Sequence, residues 1–337
     1  YIKELLKYKP SILTVVDTNE NGLTELTRDL RSSNLLNYKP KFLTYPVNLL
    51  SETFDKIFNA NHYDIVANFS ALKHVRSEKD FISTEALIKN NVFGAIKLLK
   101  LCENQKPEYF FSVSTDKAAN PVNIMGASKL LMEKIILSKK DKFRVSTARF
   151  ANVAFSNGSL LQGFLKRIEK NQPLSCPNDI KRFFVTPKQS GEICLLSTFL
   201  GDTGNIFFPK LDFEKDQIYF REIALSFLNF KNYKPYLAKS EDDAKSYKIN
   251  EEKYPIYFFG SDTSGEKKYE EFYDENDNYF LDKYHSIGYI VPENNTVIDD
   301  EVYSVFSKVF SSNNNSKRQI IKALNVFIKN FNPFINR

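Results

Sequence analysis

The strongest constraint on the fold is a repeated alternation of short, β-branched apolar runs with segments of helical periodicity. Residues 11–16 (SILTVV), 64–69 (DIVANF) and 109–113 (YFFSV) each read as a buried strand, and residues 86–102 carry apolar side chains at helical spacing. Parallel neighbours need a long crossover rather than a tight turn. The alternation therefore predicts right-handed βαβ units and an α/β, doubly wound parallel sheet. Residues 144–150 and 205–208 read as later strands of the same sheet. From 231 to 278 the chain turns to Lys, Asp, Glu and Tyr with one compact apolar run at 256–259, which predicts a smaller, loop-rich C-terminal part.

Charge and cysteine usage narrow the partners. The 47 Lys and Arg are interspersed among 41 Asp and Glu, so the net charge of +6 describes a solvated surface rather than a nucleic-acid footprint. No nucleic-acid partner is expected. Cys102, Cys176 and Cys194 are odd in number and far apart, which indicates neither a disulfide framework nor a zinc site and fits a reducing, cytoplasmic location. No metal is expected. Apolar runs all fall short of the roughly 18 residues a membrane span requires, so no membrane partner is expected for this segment. Residues 317–331 alternate apolar and basic side chains at helical spacing and should form an amphipathic helix packed on the body or on another subunit.

In open α/β sheets, ligands bind beyond the carboxyl ends of the strands. Asp17 closes the first run. An acid there can accept hydrogen bonds from both ribose hydroxyls of an adenine dinucleotide and would repel a 2′-phosphate, favouring NAD over NADP. A turn-capping Asp would look the same. After the second run, residues 68–75 (NFSALKHV) form a turn in which Asn68, Ser70 and Ala71 would let a cofactor approach the backbone. Lys73 and His74 follow, and His74 taken alone reads first as a packed or surface histidine. The third run ends in SVSTDK (112–117), followed by NPVNIMGASK (120–129). Thr115, Asp116 and Lys117 bring a hydroxyl, a carboxylate and an ammonium to one strand end, while Met125 and Lys129 share one helical face.

The segment STDKAANPVNIMGASK resembles the active-site segment of the bacterial polysaccharide-biosynthesis UDP-N-acetylglucosamine 4,6-dehydratases, which are extended short-chain dehydrogenase/reductases. The likeness continues in NFSALKHV, in NNVFGAIKLL, in RFANVAFSNGSLLQGFLKRI and in PLSCPNDIKRFFVT, covering most of residues 10–200. A weaker echo lies at 259–271 (FGSDTSGEKKYEE). The resemblance implies a Rossmann-like dinucleotide-binding domain over 1–153 with a returning strand at 204–210. Residues 154–203 and 211–337 would then form a substrate-binding domain and C-terminal helices. It further implies NAD, with NADP as the other form, held by Asp17, Asn68, Ser70, Ala71, Lys73, Asn91 and Lys129. A UDP-sugar would be held by Lys73, His74, Asn152, Ser159, Arg182 and Lys267. A homo-oligomer, dimeric or higher, is implied as well, with helices at 86–102 and 128–137 as the contact.

Three departures from the family pattern stand out. The glycine-rich pyrophosphate loop is absent, and its expected place is just ahead of Tyr1. Met125 occupies the position of the catalytic Tyr, as in a subset of these dehydratases. Thr263 stands where the family carries an Arg, with Lys267 or Lys268 as the electrostatic substitute.

By resemblance, the sugar is oxidised at carbon 4, loses water across carbons 5 and 6, and regains hydride at carbon 6. Lys117 is expected to take the carbon 5 proton, its pKa lowered by nearby Lys129 and by partial desolvation, while Asp116 protonates the departing hydroxyl. Thr115 would hydrogen-bond the carbon 4 oxygen. Because Met125 exchanges no proton, Asp116 or a water must accept the carbon 4 hydroxyl proton. A UDP-sugar epimerase (or a dehydratase with 5-epimerisation) and a catalytically silent nucleotide-sugar or NAD-binding protein are the competing readings.

Overall fold

The computed structural model describes residues 1–212, 214–260, 270–293, 297–312, 316–329 and 331–333. The strands that position the site are β1 (Ile12–Asp17), β2 (Lys41–Pro46), β3 (Ile65–Asn68), β4 (Tyr109–Val113), β5 (Val145–Ala148), β6 (Ile206–Pro209), β7 (Tyr279–Phe280) and β8 (Ile287–Ile290). One six-stranded sheet runs β7-β8-β6-β5-β4-β3. Its β3, β4, β5 and β6 are parallel, so their carboxyl ends share one edge, and β8 closes the far side antiparallel to β6. The fold is the expected α/β, doubly wound class.

One expectation is corrected. The first run pairs not with the main sheet but with β2 alone, in a separate parallel ribbon with Ile12 opposite Lys41. A doubly wound sheet is ordered 3-2-1-4-5-6, and the two pieces fit its 3-2 and 4-5-6 portions. Among the described residues no strand joins β1 to β3. Apolar packing connects them instead: Leu13 and Val15 of β1 meet Ile65 of β3 through Leu5, Leu6 and Leu195.

Helical segments flank the sheet: α1 (Glu20–Ser32), α2 (Phe81–Ile88), α3 (Gly94–Gln105), α4 (Ile124–Leu137), α5 (Pro187–Phe199), α6 (Asp299–Phe310) and α7 (Lys317–Phe327). The helix expected at 86–102 is broken by a π-turn over Lys89–Phe93 that carries Asn91. Such turns widen a helix locally and concentrate at functional sites. The amphipathic C-terminal segment packs on the body, burying Ile320, Leu324, Ile328 and Phe331 in the core shared by α2, α3 and α4. Helix α6 packs beside the π-turn, with the Tyr303 ring 4.5 Å from that of Phe93, and Asp299 pairs with Lys139 at 2.7 Å.

This covering corrects the expected subunit contact. Eleven of the fourteen residues of α4 are buried within the chain itself, so the face proposed for a second subunit is already occupied. No helix among the described residues is long and apolar enough to cross a membrane.

The C-terminal half contributes a second, three-stranded parallel sheet in the order Lys234–Ala238, Lys253–Phe259, Leu174–Pro177. The apolar run at 256–259 is its central strand. Tyr254 and Ile256 are buried there against Phe164, Phe227 and Leu228.

Candidate active site

The carboxyl edge of the main sheet gathers most of the predicted residues. Strand β4 ends at Val113, and the chain turns at Thr115 because that hydroxyl accepts the Lys117 N–H and caps a single 3-10 turn over Asp116–Ala118. The Asp116 carboxyl is buried and accepts from Thr115 Oγ1 at 2.7 Å and from Lys117 Nζ at 3.0 and 3.2 Å. Helix α4 starts just beyond, capped by Asn123, whose Oδ1 accepts the Gly126 N–H at 2.7 Å. Gly126 permits the close approach: a Cβ there would lie 2.3 Å from the Lys117 carbonyl oxygen. Met125 is buried, and its N–H donates to the Glu78 carboxylate at 2.9 Å, an anion well placed at a helix N-terminus.

Lys129 lies one turn along α4 and is almost fully buried. Its Nζ donates to the Val113 carbonyl at 2.8 Å and contacts Met132 Sδ at 3.3 Å. Burial, only partly offset by the Glu133 charge, lowers its pKa to about 8. A depressed lysine pKa costs the folded state stability below about pH 8, and the cost disappears as pH rises through the unfolded value near 10.4. Lys129→Met should therefore stabilise the protein at pH 7 by about 2 kcal/mol. That figure is roughly 3 kcal/mol of relieved desolvation less about 1 kcal/mol for the orphaned Val113 carbonyl. Urea midpoints at pH 7 and pH 10 check this, since the gain should shrink or reverse at the higher pH.

For Lys117 the expected pKa shift is corrected. Burial opposes its charge, yet the Asp116 and Glu270 carboxylates outweigh both burial and the Arg182 charge, and the ammonium is held above the ordinary lysine value. Lys129 is not the group that governs it. The direct neighbour of Lys117 is Asp116, while Lys129 is turned to the β4 carbonyl.

At the end of β3, Asn68 donates to Ser112 Oγ at 3.3 Å and accepts the Ser70 N–H at 3.1 Å, which shapes the turn through Ser70 and Ala71. Asn91 lies one layer beneath. Its amide bridges both main-chain groups of Leu72 and donates to Ser128 Oγ at 3.0 Å, so it locks that turn to α4. Lys73 reaches across to the Asn157 carbonyl at 2.9 Å, and His74 lies against Gly158, where a Cβ would come within 2.9 Å of Nε2. Ser159 caps the helix Leu160–Glu169 by accepting the Gln162 N–H. Asp17 is exposed at the end of β1, and its Oδ1 accepts the Asn19 N–H at 2.8 Å.

Asn152 and Arg182 meet a residue that sequence reasoning did not single out. Asn152 Nδ2 donates to Glu270 Oε1 at 2.6 Å, and Arg182 Nε lies 3.6 Å from the same oxygen. Burial first, then the Asp116 charge, raises the Glu270 carboxyl to about 8. Asp116 and Glu270 thus both face one ammonium, and Lys117 keeps its proton beside them. In the sequence, Glu270 stands beside Glu271 in an acidic, Tyr-rich stretch, and no spacing marks one over the other. Lys267, Lys268 and Thr263 lie outside the described residues.

The model of the family described as polysaccharide biosynthesis protein matches residues 1–292. The chain belongs to this family. A polysaccharide biosynthesis family member so built has relatives of several descriptions. An uncharacterized membrane protein of Methanocaldococcus jannaschii is 30% identical over 299 residues, 86% of this chain and 81% of that protein. The UDP-N-acetylglucosamine 4,6-dehydratase (inverting) of Campylobacter jejuni is 27% identical over 223 residues, 63% of each chain. The chain spans 32% and 50% of the length of two further relatives, polysaccharide biosynthesis proteins of Bacillus subtilis and Staphylococcus aureus. Among solved structures, Pen from Bacillus thuringiensis shares the fold with a TM-score of 0.69 at 21% identity, covering 91% of this chain and 92% of that one.

Proposed function

We propose that this chain is an NAD-dependent nucleotide-sugar 4,6-dehydratase acting on UDP-N-acetylglucosamine. The observation that carries the reading is the Asp116–Lys117 ion pair, 3.0 Å apart and largely shielded from water, at the carboxyl end of β4 with Thr115 bonded to it. Elimination of water needs one base and one acid on the same sugar. A simple 4-epimerase needs neither at carbons 5 and 6.

The groups along this edge suit a dinucleotide. One Asp17 oxygen is left for a ribose hydroxyl, Ser70 and Ala71 offer small-residue backbone, and the Lys129 ammonium retains one donor beyond its two contacts. These residues would supply ribose and nicotinamide-side contacts. Bound there, NAD would take a hydride from carbon 4 and return it to carbon 6.

The protein's part is proton traffic and positioning. Passage of one proton from Lys117 to Asp116 converts the resting ion pair into a neutral amine and a carboxylic acid, with no exchange with solvent. Lys117 then takes the carbon 5 proton as Asp116 gives its own to the carbon 6 hydroxyl and water leaves; as hydride returns to carbon 6, Lys117 gives a proton back to carbon 5 and regains one from solvent, which restores the ion pair. Thr115 orients the carbon 4 oxygen, and because Met125 accepts no proton and Asp116 already holds one, the carbon 4 hydroxyl proton leaves to a water. Asn152, Ser159, Arg182, Lys73, His74 and Lys267 would hold the UDP-sugar, Arg182 through its planar fork of donors.

Incubating the protein with NAD and UDP-N-acetylglucosamine and following the sugar by NMR tests the reading. A 4-keto-6-deoxy product is expected. Release of only a 4-epimer, or of unchanged substrate, would reject it.

A further inference from the structure

We infer that Glu270 is the positioning residue of this site: it holds Asn152 and Arg182 in place and, when ionised, sets a second buried negative charge against Lys117. The inference rests on the dehydratase reading for its chemistry, but not for its geometry. Glu270 is 2% exposed. A carboxylate so buried is tolerated only where donors serve it, and both of its oxygens are served. Oε1 accepts from Asn152 and faces Arg182, while Oε2 accepts the Phe183 N–H at 2.9 Å.

These contacts come from separate parts of the chain. Asn152 follows β5 and begins a two-residue strand paired with Phe184–Val185, whereas Arg182 and Phe183 lie just ahead of that partner strand. One carboxylate thereby sets the spacing between two side chains assigned to the substrate. The segment bearing Glu270 is itself anchored, because Arg149 Nη1 donates to the Phe272 carbonyl at 2.8 Å. Glu270, Phe183 and Phe272 also line a cavity of about 460 Å³ that continues past Pro209 and Lys210 at the end of β6.

The charged groups facing Glu270 are Asp116, Lys117 and Arg182. Those facing Lys117 are Asp116, Glu270 and Arg182. Glu270 thus belongs to one electrostatic cluster with Asp116, Lys117 and Arg182, to which Arg149 is joined through Asp116. Removing the acid from position 270 leaves Lys117 with one fewer negative charge to hold its proton, so it should release that proton more easily.

Glu270→Gln keeps the volume: its carbonyl can accept the Phe183 N–H, and the Asn152 amide can rotate to accept from the new NH2. In lysine-labelled protein without substrate, with the Lys117 signal assigned by its loss in Lys117→Met, Lys117 should titrate about one pH unit or more lower than in wild type. The limb of the pH–rate profile that reports Lys117 should move down with it. Glu270→Asp keeps the charge and shortens the reach, so it should retain the wild-type pH profile while raising the KM for UDP-N-acetylglucosamine about tenfold, with kcat changed less. An unchanged Lys117 titration in folded Glu270→Gln overturns the electrostatic half, and an unchanged KM in Glu270→Asp overturns the positioning half. The substrate-free titration reads out even if no UDP-sugar is converted, in which case the dehydratase reading fails separately.

Discussion

Lys117→Ala should abolish formation of a 4-keto-6-deoxy sugar, lowering turnover by about 10³-fold or more while leaving the fold intact, because general acid–base groups commonly contribute factors of 10² to 10⁴. The loss is expected to be large because one side chain serves two steps. Lys117 supplies the proton that makes Asp116 an acid, and the amine left behind is the base. Its Nζ lies 3.0 Å from Asp116 Oδ2, and the 3-10 turn over Asp116–Ala118 holds the two adjacent side chains in that register. Deleting it also removes a positive charge that faces Glu270, whose carboxyl should be pushed up further. Lys117→Gln, which keeps more of the volume, separates that effect from a loss of shape. In D2O, wild-type product should carry solvent deuterium at carbon 5, and neither variant should catalyse that exchange. A Lys117→Ala protein that still turns over at the wild-type rate would end the assignment.

The site was partly legible in the sequence because strand ends in a doubly wound sheet converge regardless of the distance between them along the chain. Asn68, Asp116 and Lys117 come from segments some tens of residues apart, yet their strands are adjacent and parallel, so their carboxyl ends must share an edge. What stayed hidden was pairing and charge balance. The strand β2 reads KFLTYP, with polar and apolar residues mixed and most side chains only half buried, so neither alternation nor a continuous apolar run marks it. Without it, the separate ribbon of β1 and β2 could not be anticipated. The pKa of Lys117 was misjudged for a related reason: sequence proximity on a helix suggested Lys129 as the neighbour, whereas the buried acid that matters most after Asp116 arrives from position 270. Long-range electrostatics of this kind has no period in the sequence.

Glu133→Ala should destabilise the protein by about 3–5 kcal/mol, the usual consequence of stranding one partner of a buried ion pair. Glu133 on α4 accepts from Arg149 in bidentate fashion, Oε1 from Nε at 3.1 Å and Oε2 from Nη2 at 2.9 Å, and both side chains are at most 5% exposed. The remaining guanidinium donor, Nη1, serves the Phe272 carbonyl, with Asp277 no nearer than 3.8 Å. Asp277 is therefore too distant to replace the lost carboxylate. The pair as a whole need not be strongly stabilising, since desolvation of both charges offsets much of their attraction. The double replacement Glu133→Leu with Arg149→Met should accordingly cost less than Glu133→Ala alone, even though it removes more polar contacts. Denaturant midpoints for the single and double variants decide it. If the single variant unfolds within about 1 kcal/mol of wild type, water reaches the guanidinium, and the pair cannot be the rigid anchor that fixes Phe272 and, two residues before it, Glu270.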